Sequence, residues 1–166
     1  MRVYVPATMS MLQSLVSDGE LRPVAGTAFA VTPALRESYA SGDTEELEYA
    51  AMADAARASL RLMAADLDAD AETPRRVVVC ADVEGARLRP DLDDGAVTLA
   101  SPVRSSAIAA VYIDQPDAGD AVRAAAAVVD AADLGDPDAE FTLGEAEDHE
   151  LTWYAPQEVP FLLDLL

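Results

Sequence analysis

Three stretches of the sequence repeat one arrangement: RVYVPATMSMLQSLV from Arg2, AVYIDQPDAGDAVRAAAAVV from Ala110 and LTWYAPQEVPFLLDLL from Leu151. Each sets a tyrosine in a short apolar run, follows it with a proline, and continues at helical spacing. Proline offers no N–H to a sheet ladder, so each run must stop there as a strand. A chain that alternates strand, break and helix in this way is constrained to a mixed α and β architecture. A functional alternative is that the three tyrosines converge on one ligand.

The intervening residues extend the pattern. Thr8 is the expected N-cap of a helix carrying Met9, Leu12, Leu15 and Val16, with Asp18-Gly19 as its stop. Residues 20–43 are less periodic and read as a loop with a short helix from Pro33. Asp43 or Thr44 caps a long helix to about Ala65, whose Leu47, Ala51, Ala55, Ala58 and Leu62 make one stripe. DLDADAET reads as an acidic exit without structure, and RRVVVCADV as a strand buried on both faces or central to a layer. A long connection follows, with a short strand near Val97–Leu99, and then the strand AIAAVYID. Asp117 is the expected cap of a helix whose Val122, Ala125, Val129 and Ala132 share a face and which Gly135 ends. DPDAEFTLGEAEDHE reads as a second acidic connection, before a strand LTWYA and a helix entered at Pro160.

The order strand, helices, strand, strand, helix, strand, helix predicts an α+β fold. The expectation is a ferredoxin-like split βαβ sheet in one domain over residues 1–166, with extra helices after the first strand and at the C-terminus. In that order the strands holding Val3-Tyr4-Val5 and Val111-Tyr112-Ile113 lie side by side at the sheet centre.

Charge excludes some roles. The chain has 31 Asp and Glu against 11 basic residues, a formal net charge of −20, so it repels phosphate backbones and anionic lipid. Nucleic acid and membrane are therefore not expected partners. All the basic residues are Arg, with no Lys and no Asn, the imprint of a GC-rich genome because Lys and Asn codons are A-rich. Salt adaptation and nucleic-acid mimicry are competing accounts of the acidity. MRVYVPAT lacks the ~7–15 apolar residues of a signal peptide, and no run approaches the ~20 of a membrane span. One cysteine, Cys80, allows no internal disulfide and fits a reducing compartment, so the expected location is cytoplasmic.

Few motifs carry chemistry. One His and one Cys cannot supply the ligands of a zinc site. His149, the single candidate base, sits in the acidic EAEDHELTW and reads as a surface histidine. A Cys80–His149 pair is disfavoured, since opposite sheet edges across three strand gaps of ~4.8 Å stand roughly 14 Å apart. Aligned on Gly95, PDLDDGAVTLAS puts Pro90 and Ser101 where a calcium loop needs carboxylates. Asp133, Asp136, Asp138 and Glu140 could gather round a cation, but read as a turn-forming acidic loop. No glycine-rich phosphate loop or nucleophile elbow occurs. The candidate ligand or partner surface is Arg36, Tyr39, Tyr49, Arg57 and Arg61, because arginine reads carboxylates and phosphates through a fixed fork. The bland reading pairs these arginines with nearby acids, Arg57 with Asp54 three residues before it.

MRVYVPAT, the stretch Gly26–Leu62 and the closing WYAPQE together resemble a family of short acidic proteins of unknown function from GC-rich actinobacteria. The resemblance covers most of the chain. It implies a cytoplasmic single-domain protein and brings no activity, so it carries over no functional residue. The reading is a small soluble non-catalytic binding or regulatory protein without a cofactor. Its partner is a second copy, docked through an uncovered sheet face, or another protein. One alternative is a hydrolase or transferase acting on a small anionic substrate at Arg36, Tyr39 and Arg57. The other is an acidic nucleic-acid mimic that binds a basic protein.

Overall fold

The computed structural model describes residues 1–65 and 73–166, so the acidic exit expected at 66–73 lies almost wholly outside the described residues. The first half runs β1 (Arg2–Ala7), α1 (Met9–Asp18), β2 (Glu20–Leu21), β3 (Thr27–Phe29), α2 (Pro33–Ser38) and α3 (Thr44–Ala65). There follow β4 (Val77–Asp82), β5 (Arg87–Leu88), β6 (Ala96–Thr98), β7 (Val103–Arg104) and β8 (Ile108–Ile113). The chain closes with α4 (Gly119–Asp133), α5 (Pro137–Glu147), β9 (Thr152–Tyr154) and α6 (Val159–Leu165).

Seven strands form one sheet in the order β5-β6-β3-β1-β4-β8-β9, each pair antiparallel, and β2 pairs with β7 apart from it. The mixed α and β class follows from the sequence, but the ferredoxin-like order does not. β1 and β8 run the same way yet are separated by β4, with Val79 paired to Val5 on one side and Val111 on the other. The reason lies in β4 itself. Val77, Val78, Val79, Cys80 and Ala81 are all buried, and a strand apolar on both faces is best satisfied between two neighbours.

The sheet is covered on both faces. On one face Val3, Val5, Val77, Val79, Val111 and Ile113 pack with Leu12 and Leu15 of α1 and Val159 of α6. On the other, Tyr4, Val78, Cys80 and Ala110 pack beneath Leu47, Ala51, Ala55 and Ala58 of α3. The bare face on which a second copy was expected to dock is thus occupied by helices of the same chain. Leu62 is only half-buried; Leu60 and Met63 are buried instead, because the end of α3 turns from the sheet to Val122, Val129 and Leu143 of the α4–α5 hairpin.

Local chemistry explains the helix ends. The Thr8 hydroxyl accepts from the Met11 amide at 3.2 Å, and Gly19 closes α1 at φ 77°. The Asp43 carboxylate accepts from the Glu46 amide at 2.9 Å, which selects Asp43 as the cap of α3. Asp117 does not cap α4; it lies in a 3₁₀ turn, Pro116–Ala118, that leads into the helix. The acidic connection expected after Gly135 is largely the helix α5. Asp136 Oδ1 accepts from the Asp138 and Ala139 amides, Pro137 occupies the first turn, and Ala139, Leu143 and Ala146 are buried. Those spacings of four and three were hidden by the density of acids between them.

Candidate functional site

The apolar run of β4 begins directly after Arg76, and that of β8 ends directly before Asp114. β4 and β8 are paired, so these two residues meet where the strands finish. Arg76 Nε and Nη2 each donate to the Asp114 carboxylate at 2.8 Å, and the Arg76 amide donates to its Oδ2 at 2.8 Å. Asp114 is fully buried and Arg76 almost so. A buried bidentate pair of this kind is costly to break from one side, by about 3–5 kcal/mol, because a desolvated charge remains. Arg76 Nη2 also donates to the carbonyl of His149 at 2.7 Å. The segment leaving α5 is thereby held beside the strand ends.

Opposite that segment runs α3. Between them lies a cleft of about 220 Å³. Met52, Ala53, Ala56, Leu60 and Leu151 give it apolar walls, and Tyr49, Arg57, Arg76, Glu147, His149 and Glu150 supply its polar groups. His149 is half-buried here rather than on open surface as expected. The wall contains no Ser, Thr, Cys or Lys, and its one hydroxyl is the phenol of Tyr49. Among the described residues, no three His, Cys, Asp or Glu side chains gather as a metal set.

The cations of the cleft are already engaged. Arg57 Nη2 lies 3.0 Å from Asp133 Oδ1 and 2.8 Å from Glu140 Oε1, and Arg61 Nε lies 2.7 Å from Asp133 Oδ2. The hydrogen bond from Arg61, with that from Arg57, holds the Asp133 carboxyl below the usual range; Arg57 does the same to Glu140. These acids come from the α4–α5 hairpin. The expected Arg57–Asp54 pair does not form. Asp54 faces the turn before β6, where a Cβ added to Gly95 would stand 3.8 Å from its Oδ2. Burial, reinforced by Asp93, pushes the Asp54 carboxyl up to about 6 against the pull of Arg61 and Arg57.

The five candidate residues are therefore not brought together. Tyr49 and Arg57 share the cleft, and Arg61 joins the ion-pair network behind it. Arg36 lies exposed on α2 and Tyr39 follows at its C-terminal cap, 47% exposed; neither lines the cleft. The three tyrosines of the repeat do not converge either. Tyr4 and Tyr112 lie under α3, whereas Tyr154 packs on the opposite face and its hydroxyl accepts from Gln115 Nε2 at 3.0 Å. Cys80 sits on central β4, not on a sheet edge, and burial pushes its thiol up to about 11. The acids that could gather round a cation are engaged otherwise, Asp133 and Glu140 with arginines and Asp136 in the α5 cap.

Arg76, Asp114 and the cleft role of His149 were missed in the sequence. A signal was present: a charged residue abuts each of two apolar strands, at the start of one and the end of the other, the arrangement that paired strands turn into a contact. No curated protein and no solved structure matches the chain. A family pattern matches residues 1–163, nearly its whole length, and the chain belongs to that family of unknown function, DUF6912.

Proposed function

We propose that the chain is a small non-catalytic binding protein whose ligand site is the cleft between α3 and residues 147–151. The observation that carries this reading is the composition of the wall: apolar side chains, no serine, threonine, cysteine or lysine, and arginines already neutralised by carboxylates of their own chain. Arg57 and Tyr49 are its ligand-facing members among the sequence candidates, with Arg61 holding Arg57's partner Asp133 in place. Arg36 and Tyr39 belong to a separate exposed surface on and beside α2.

The finer reading of origin and location is also a proposal. The free, buried Cys80 and the absence of Lys and Asn support a cytoplasmic protein of a GC-rich actinobacterium. Among the described residues no helix is long and apolar enough to cross a membrane.

The test is native mass spectrometry after incubation with a small-molecule extract of the host. Wild-type protein should retain a ligand that Ala53→Trp, which fills the cleft from an exposed position, does not. Equal retention by both proteins, or none by either, overturns the proposal.

A further inference from the structure

The charges around the cleft say what kind of ligand it suits. Arg57 and Arg61 are balanced by Asp133 and Glu140, and Arg76 is balanced by Asp114. That leaves Glu147 and Glu150, which line the cleft and form no ion pair among the described residues. An anion would have to draw Arg57 away from two carboxylates and then face both glutamates. A cation meets no such obstacle, and the net charge of −20 adds a favourable long-range field. Tyr49 contributes an aromatic ring that is 56% exposed at this site, a surface that attracts guanidinium and ammonium groups. Met52, Ala53 and Leu151 offer an apolar bed for an alkyl stem. At about 220 Å³ the space is below the ~300–1,000 Å³ of drug-sized pockets, so it fits a short chain with one polar end.

We propose that the cleft binds an alkylguanidinium or alkylammonium group, cationic head toward Glu147 and Glu150 and stem along Met52 and Leu151. This rests on the cleft being the binding site. It replaces the small anionic substrate considered from the sequence with a ligand of opposite charge. The same chemistry is found in a free small molecule and in an arginine or lysine side chain of a partner protein.

The test is an NMR titration of the whole chain with n-butylguanidinium, n-butylammonium, neutral n-butylurea and butyrate. A fifth probe is an acetylated, amidated Gly-Arg-Gly peptide. The two cations should shift the amides of residues 147–151 saturably, and the urea and butyrate should not. Glu147→Gln with Glu150→Gln should weaken cation binding roughly tenfold or more with unchanged thermal stability, since both side chains are exposed. Tighter binding of the peptide than of butylguanidinium supports a partner protein as the source; binding of the free cations alone supports a small molecule. Urea or butyrate binding as well as the cations, or a double variant that binds normally, overturns the cation proposal while leaving the cleft as a site. If none of the five probes binds, the cation proposal falls. Retention of an extract ligand by wild type but not by Ala53→Trp then still upholds the cleft, and its absence removes both.

Discussion

Asp114 is held through side chain and backbone alike: both carboxylate oxygens accept from Arg76, and its main-chain carbonyl accepts from Arg75 Nη1 at 3.2 Å. Asp114→Ala should therefore destabilise the protein by about 3–5 kcal/mol in urea unfolding, by stranding Arg76. Arg76→Met with Asp114→Leu should recover much of that loss, because neither charge of the pair is left stranded. A single-variant loss under about 1 kcal/mol would contradict the buried pair. Asp54 shows the opposite behaviour. Its folded pKa of about 6 stands above the ~3.9 of an unfolded aspartate, so its ionisation opposes folding. The penalty is full above about pH 6, fades as pH falls through that value, and is gone below ~pH 3.9. Asp54→Asn should thus be more stable than wild type at pH 7 by about 1 kcal/mol, discounted for partial solvent screening, and equal to it near pH 3.5. A gap that stays constant with pH would assign it to something other than titration. Residue-level reading of the sequence places Tyr49 and Arg57 on one helix, because helical spacing is local, and the structure sets both beside the cleft. It missed Arg76 because its partners lie 38 and 73 residues away, beyond any local periodicity.

At the scale of elements, the long helix, the valine-rich strand and the Asp18-Gly19 stop were all legible, each announcing itself within a few residues. The short strands β2, β3, β5 and β7 were not, since two or three residues carry no period of their own. Their placement depends on backbone approach. Gly26, at φ 70°, leads into β3, and the Leu99 amide donates to its carbonyl at 2.7 Å. A Cβ there would stand 2.7 Å from the Leu99 carbonyl oxygen, whereas one at Gly19 would meet nothing within 4 Å. Gly19→Ala should cost about 1 kcal/mol for left-handed backbone alone. Gly26→Ala should cost at least about 2 kcal/mol, since the β3–β6 junction must also give way. Equal melting temperatures for the two variants would show that the junction yields freely.

At the scale of the molecule, the sequence conveyed the class and not the topology. Which strand lies between which is decided by pairings such as Val5 with Val79 and Val79 with Val111, made across long loops. The repeated strand–proline–helix arrangement described how each segment begins and ends, not where it goes. The geometry also ties distant parts of the chain together. One guanidinium holds both the end of β8 and the carbonyl of His149. Opening the rear wall of the cleft therefore requires loosening the seam between β4 and β8. In hydrogen–deuterium exchange, the amides of Val77 and Ile113 and those of residues 149–151 should exchange as one cooperative unit at a single opening free energy. Rapid, independent exchange at 149–151 would mean that the wall swings on its own. A ligand seated in the cleft would then slow exchange only at the surface; in the coupled case it slows exchange at the centre of the sheet.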